Sequence, residues 1–154
     1  MDDVDDVIDF EDDEKRIADI LVPGQKIEDL PDVSLEMLEK YFQYLSQNVK
    51  GNLLLTGQES MGYFAWEEKF DFGYGSQKEY DQLRKQKASY HDKFKLLRLK
   101  NIDPSYGIIA AVSRISDNKK FDIPLADLEA CDENTTEYML LDDYSMWFVN
   151  YHGG

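Results

Sequence analysis

The sequence predicts an α+β fold, in which a small antiparallel β-sheet lies between an N-terminal helix and a C-terminal helix with an aromatic face. Three observations predict it. Apolar residues recur at helical spacing over residues 35–49, extended segments with polar turns fill residues 53–125, and helical spacing returns over residues 140–151. A sheet of this size could curl into an SH3-like, partly open barrel. The length of 154 residues suits one domain, which we place at residues 17–154.

Residues 1–16 carry a block of negative charge. The chain has 32 Asp and Glu against 17 Lys and Arg, a net charge of -15, and nine of the acids lie within residues 2–14. Such a block is typical of a solvated, self-repelling and disordered tail. It could instead collect cations or a basic partner. Without it the net charge is about -6, which is ordinary for a soluble domain.

Two helical segments precede the sheet. A short apolar face at residues 17–21 ends before Pro23, because proline with the following glycine stops a helix. Ser34 is then a good N-cap for a longer helix that runs through Val49, and Gly51 is the expected residue after its end.

After the long helix the pattern becomes extended. Residues 53–56 and 63–70 are predicted as two strands of a first hairpin, joined by the loop at residues 57–62. Residues 71–91 are polar, and Ser76 with Glu79 resembles a capping box, so we expect a loop or a short helix there.

The second half of the sheet is predicted from three segments. Residues 94–100 alternate well enough to form a strand, and residues 106–115 and 119–125 flank a polar turn of hairpin length. The last helix begins near residues 134–137, which supply an N-cap with Glu at its third position. Its aromatic and aliphatic face is formed by Leu140, Leu141, Tyr144, Trp147, Phe148 and Tyr151.

Composition excludes several classes of function. Binding to nucleic-acid phosphates or an anionic membrane surface relies on Lys and Arg, so this acidic chain favours neither. The single cysteine, Cys131, rules out an internal disulfide framework and a Cys-based zinc site. No signal peptide and no apolar run of about 20 residues is present. We therefore expect a cytoplasmic protein.

Common catalytic groups are also missing from recognisable motifs. His91 and His152 have no partner at metal-ligand spacing and are interpreted as surface imidazoles. Acidic neighbours would raise the pKa of the Cys131 thiol rather than activate it. We therefore do not expect an enzyme, although a hydrolase with paired carboxylates would need only a pocket at Asp142 or Asp143.

Carboxylate oxygens are the chemistry that the sequence has in surplus, and Ca²⁺ prefers six to eight oxygen ligands. No segment has the EF-hand pattern, so a site must be assembled from separate segments. Capping explains acids at the start of the last helix equally well, and a solvated helix face explains those inside it. The candidate metal ligands are Asp127, Glu129, Asp132, Glu133, Asp142 and Asp143, with Glu67, Glu68 and Asp71 as a second cluster.

Four short motifs, in this order, resemble the CcbP-like calcium-binding protein family. They are Leu-Pro with a Leu-Tyr-Tyr-Leu helix at residues 30–45, Tyr-Gly-Ile-Ile-Ala at 106–110, Pro-Leu with Leu-Glu at 124–129, and Asp-Asp-Tyr with Trp-Phe at 141–150. The resemblance implies a non-enzymatic protein that binds Ca²⁺ through clustered carboxylates. The acids that match its motifs are Asp127, Glu129, Asp142 and Asp143. The first 27 residues and the segment after Leu55 depart from the family pattern.

The leading hypothesis is therefore a calcium buffer or sensor with clustered surface carboxylates and an affinity on the order of 10⁻⁵ to 10⁻³ M. The alternative is an acidic interaction module, such as an inhibitor or immunity-type partner of a basic protein, in which the same charges steer association.

Overall fold

The computed structural model describes residues 10–152 and has an α+β architecture. Its five strands form one open antiparallel sheet in the order β4-β3-β2-β1-β5. The strands are β1 (Leu54–Gly57), β2 (Lys93–Asp103), β3 (Gly107–Arg114), β4 (Lys120–Pro124) and β5 (Leu128–Ala130). The helices are α1 (Asp12–Leu21), α2 (Leu35–Asn48), α3 (Glu68–Asp71), α4 (Gln77–Gln86) and α5 (Thr136–Asn150). Two 3₁₀-helices span Gly62–Glu67 and Leu125–Asp127.

The α+β prediction is confirmed, and the caps of α2 and α4 lie where the sequence predicts them, whereas α5 has Thr135 as its N-cap and Glu137 at the second helical position instead of the third. The hydroxyl of Ser34 accepts from the N–H of Met37 at the start of α2, and Ser76 caps α4 in the same way. At the start of α5, Thr135 accepts from the N–H of Tyr138. Each cap satisfies a backbone donor that has no partner inside its helix.

The hairpin of β3 and β4 is also confirmed. Ala110 pairs with Ile123 and Val112 with Phe121, and the turn at residues 115–119 joins the two strands. The strand β2 pairs with β3 along most of its length, with register shifts between Leu96 and Arg98 and between Leu99 and Asn101. The sheet is open, so the SH3-like detail is not confirmed.

The predicted first hairpin is wrong. Residues 63–70 form a 3₁₀-helix and α3 instead of a strand, and β1 pairs with β2 on one side and with β5 on the other. The physical reason is that Phe64 and Glu67, three residues apart, are both fully buried. Residues three apart lie on the same face of a helical turn, whereas in a strand they lie on opposite faces. Gly62, with a φ of 59°, begins that turn.

The core lies between the sheet and helices α1, α2 and α5. Aromatic contacts join α2 to α5. Tyr41 packs edge-on against Tyr144, with 5.1 Å between the ring centroids, and at a tilt against Trp147, with 5.2 Å between the centroids. Helix α1 buries Ile17 and Leu21 against this core and begins at Asp12, within the segment expected to be an acidic tail. Residues 1–9 of that segment lie outside the described residues.

Arg114, at the end of β3, fixes α4 to the sheet. Its guanidinium is 3% exposed and donates to the carbonyl oxygens of Arg84, Lys85 and Lys87, which end the helix. It also forms ion pairs with Asp92 at 3.0 Å and Asp117 at 2.8 Å. A basic group at a helix C-terminus is favourable because the carbonyls there are unsatisfied. No helix within residues 10–152 is long and apolar enough to cross a membrane.

Candidate metal centre

Strand β5 and helix α5 bring three of the predicted acids near one another. Burial raises the pKa of Glu129, and the charges of Asp142 and Glu133 raise it further. The pKa of Tyr138, on the first turn of α5, is raised by Glu129 first, then by burial and by the other two acids. We call Glu129, Glu133 and Asp142 the β5–α5 acidic surface. Like charges held at this proximity repel one another.

Helix α1 extends this surface. The pKa of Asp142 is raised by burial first, then by Asp143 and by Asp13 of α1. No pattern in the sequence indicated a role for Asp13, because its segment was interpreted as a tail. The negative potential at Asp142 therefore comes from two helices that are distant in the sequence.

Asp143 is not part of the solvated face that the sequence led us to expect. Only 3% of the residue is exposed, and its carboxylate accepts two hydrogen bonds from Arg16, at 2.7 Å from Nε and 3.0 Å from Nη2. The solvated-face interpretation holds for Asp142, which is exposed. Helical spacing contained a signal for the difference, since Asp143 lies three residues after Leu140 and four before Trp147, on the buried face.

Asp132 and Glu133 precede α5, as the capping interpretation requires. The carboxylate of Asp132 accepts from the N–H of Asn134 at 3.0 Å, and its carbonyl accepts from the hydroxyl of Thr135 at 2.8 Å. Asp132 thereby shapes the turn before the N-cap. Glu133 is exposed and keeps its carboxylate available to solvent.

Asp127 faces a different part of the molecule. Its carboxylate accepts from the N–H of Tyr63 at 3.1 Å, and Gly62 approaches so closely that a Cβ there would lie 2.6 Å from a carboxylate oxygen. Burial raises the pKa of Asp127, and the bond from Tyr63 opposes that rise. The sequence did not indicate Tyr63, because its segment was predicted to be a strand.

The second predicted cluster divides in the same way. Glu67 is fully buried and accepts from the hydroxyl of Tyr80 at 2.9 Å and the N–H of Tyr90 at 3.1 Å. Asp71 is exposed and accepts from the hydroxyl of Tyr90 at 3.2 Å. Tyr90 therefore lies between Glu67 and Asp71. Glu68 is exposed on α3.

The positions of these acidic side chains in the structure limit their ability to bind a metal ion. Across residues 10–152, no three Asp, Glu, His or Cys side chains are placed so that they could hold one metal ion. The donors on the β5–α5 acidic surface are nevertheless all carboxylate oxygens, which suit a hard cation such as Ca²⁺. Glu133 and Asp142 are exposed, so their side chains can rotate toward a shared ion and water can complete its shell.

The surroundings of Cys131 do not activate its thiol as a nucleophile. The pKa of the Cys131 thiol is raised by burial first and also by Glu129, while Lys93 opposes the rise. His91 and His152 are exposed, and the ring of His152 packs against Phe148. Both histidines therefore lie at the surface, as the sequence predicts.

Two comparisons relate the chain to known proteins. A solved structure described as "Calcium binding protein in the calcium-binding form" superposes with a TM-score of 0.56 at 15% identity, covering 97% of this chain and 98% of that one. This likeness shows a shared fold. No curated protein sequence matches the chain. A family model described as "Calcium binding" matches residues 56–148, more than half of the chain. The chain therefore belongs to the calcium-binding CcbP family, and its ion is Ca²⁺.

Proposed function

We propose that the protein is a non-enzymatic calcium buffer and that Ca²⁺ binds at the β5–α5 acidic surface. The observation that supports this location is the position of Glu129 near Glu133 and Asp142, since the charges of both make ionisation of Glu129 less favourable. A divalent cation among them removes that repulsion, so binding gains free energy from charges that the fold already holds together.

The remaining acids contribute less to such a site. Asp143 is occupied by Arg16, and Asp132 by the turn before α5. Asp13 lies near enough to Asp142 to add to the potential. With three carboxylates and several waters as ligands, the affinity belongs to the weak range, on the order of 10⁻⁵ to 10⁻³ M. Glu68 and Asp71, exposed around α3, are a weaker second position for an ion.

A buffer is favoured over a sensor because the elements that carry the acids are already packed. Strand β5 pairs with β1, and α5 buries seven residues in the core, including Tyr144 and Trp147. Movement of either element would expose this core, whereas rotation of exposed side chains costs little. We therefore expect Ca²⁺ to change side chains on the surface and to leave the backbone in place.

A titration followed by amide chemical shifts tests both the location and the mode. Ca²⁺ is added to the ¹⁵N-labelled full chain at about 0.15 M salt, with Mg²⁺ in a parallel titration. We expect saturable shifts in residues 128–142 with Ca²⁺ and smaller ones with Mg²⁺. Shifts throughout the core would indicate a sensor, and equal shifts with both ions that disappear in higher salt would refute a specific site.

Matched variants test the residues. Asp142→Asn removes one exposed carboxylate and should weaken Ca²⁺ binding about tenfold, which corresponds to about 1.4 kcal/mol. Asp19→Asn makes the same change of charge at an exposed position on α1 and should leave the affinity nearly unchanged. Equal losses in the two variants would mean that only the total charge matters, and the proposed location would be wrong.

A further inference from the structure

A cavity of about 610 Å³ lies on the side of the molecule to which Asp127 points. It is bounded by the turn at Gly62 and Tyr63, by Ile109 of β3, by Tyr106 before β3 and by Phe148 of α5. Its volume lies within the range of about 300 to 1,000 Å³ that is usual for small-molecule sites. Three aromatic rings and few polar groups line it, which is also the usual composition of such sites.

The charged groups in this cavity have one sign. Asp122 and Asp127 line it, and of the described residues no Lys, Arg or His does. Asp122 is already balanced, because its carboxylate pairs with Lys100 at 2.5 Å. Asp127 has no ion pair with any Lys or Arg among residues 10–152, and the described donor to its carboxylate is the N–H of Tyr63. The cavity therefore has one carboxylate whose charge is not balanced by a basic side chain in the described part of the chain.

This combination selects a ligand class. An anion would meet both carboxylates and the net charge of -15. A neutral apolar molecule would fill the cavity but would leave the carboxylate of Asp127 further desolvated, which is costly. A molecule with an ammonium group and an aromatic body would pair with the carboxylate, and aromatic rings also attract cations through their faces.

We propose that this cavity is a binding site for a small aromatic amine, with its ammonium group on Asp127 and its ring between Tyr63, Tyr106 and Phe148. The site is separate from the β5–α5 acidic surface, so it does not depend on the proposed calcium site. Gly62 has a specific role in it, because a side chain at that position would collide with the carboxylate that receives the amine.

Three ligands with the same indole ring test the proposal: tryptamine, its neutral analogue tryptophol and the anionic indole-3-propionate. Each is titrated into the ¹⁵N-labelled full chain in calcium-free buffer, and tryptamine again with Ca²⁺ present. We expect tryptamine to bind with a Kd on the order of 1 mM or tighter, tryptophol about tenfold more weakly, and the propionate not at all. The amide shifts should centre on Tyr63, Tyr106 and Ile109.

Two variants locate the amine. Asp127→Asn keeps an oxygen that can accept from the N–H of Tyr63, so we expect it to fold and to bind tryptamine about tenfold more weakly, to the level of tryptophol. Tyr106→Ala changes a ring that is 62% exposed and should weaken both ligands. Asp19→Asn, with the same change of charge elsewhere, should change neither.

Besides a failure of tryptamine to bind, three results would overturn the proposal. They are equal binding of tryptamine and tryptophol, equal losses in Asp127→Asn and Asp19→Asn, and competition between Ca²⁺ and tryptamine. Competition would assign Asp127 to the calcium site. Absence of tryptamine binding would overturn the amine site and leave the calcium titration unaffected, so the two proposals fail independently.

Discussion

Replacing the guanidinium of Arg16 tests whether its ion pair with the buried Asp143 holds α1 against the core. In the protein, Asp143 has a side chain only 4% exposed and relies on two hydrogen bonds from Arg16. The variant Arg16→Gln leaves that carboxylate charged, desolvated and next to Asp142. Breaking a fully buried pair by removing one partner costs about 3 to 5 kcal/mol. Because the Arg16 side chain is 36% exposed, water can replace part of its contact, and we expect a loss of about 2 to 3 kcal/mol.

Urea unfolding, followed by tryptophan fluorescence and by circular dichroism, measures this loss as a lower midpoint at an unchanged slope. Lys15→Gln is the matched control, because it removes the same charge from the neighbouring, exposed position on α1, where a change within about 0.5 kcal/mol is usual. If the two variants lose the same stability, the ion pair does not hold α1. The double variant Arg16→Met with Asp143→Leu should recover most of the loss, since apolar replacement of both partners leaves no buried charge.

Three further predictions concern the other buried and strained positions. Arg114→Met should lower the free energy of unfolding by about 2 to 3 kcal/mol in urea, because the last carbonyls of α4 lose their donor and Asp92, which keeps its bond from Arg84, loses one of its two arginine partners. Arg114 also lowers the pKa of Asp117 to about 2. This contribution to stability is therefore present above about pH 3.8 and lost as the pH falls toward 2, and carboxyl NMR should show a higher pKa for Asp117 in Arg114→Met that stays below 3.8, because the N–H of Lys119 still stabilises the carboxylate. Gly62→Ala should cost about 1 to 3 kcal/mol, because alanine is strained at a φ of 59°; an unchanged melting temperature would contradict it.

Much of the fold follows from local signals. The caps at Ser34 and Ser76 and the hairpin of β3 and β4 depend on residues close together in the sequence, so the pattern predicts them correctly. The strand prediction for residues 63–70 is wrong because the segment was interpreted as a continuation of the extended pattern that begins after Gly51. The deciding interactions are the bonds from Tyr80 and Tyr90 to the buried Glu67, which no local pattern contains.

The acidic residues show the same limit. Their number and their grouping on β5 and α5 could be predicted, and so could the family and its ion. Which carboxylates are already occupied could not, because Arg16 and Tyr63 reach Asp143 and Asp127 from segments distant in the sequence. Helical spacing alone would have distinguished the buried Asp143 from the exposed Asp142.

The position of β1 in the sheet also bears on how the chain folds. Strands β2, β3 and β4 form from consecutive segments. Strand β1 instead lies between β2 and β5, and its Leu55 pairs with Ala130, which is far away in the sequence. Non-local pairing of this kind requires closure of a long loop, and the entropy of that closure is lost before the strand contacts can stabilise the chain. The β2–β3–β4 meander is thus the natural nucleus, and β5, followed by α5 and its acidic residues, joins the sheet only when β1 is in place. The β5–α5 acidic surface is therefore expected to form last during folding.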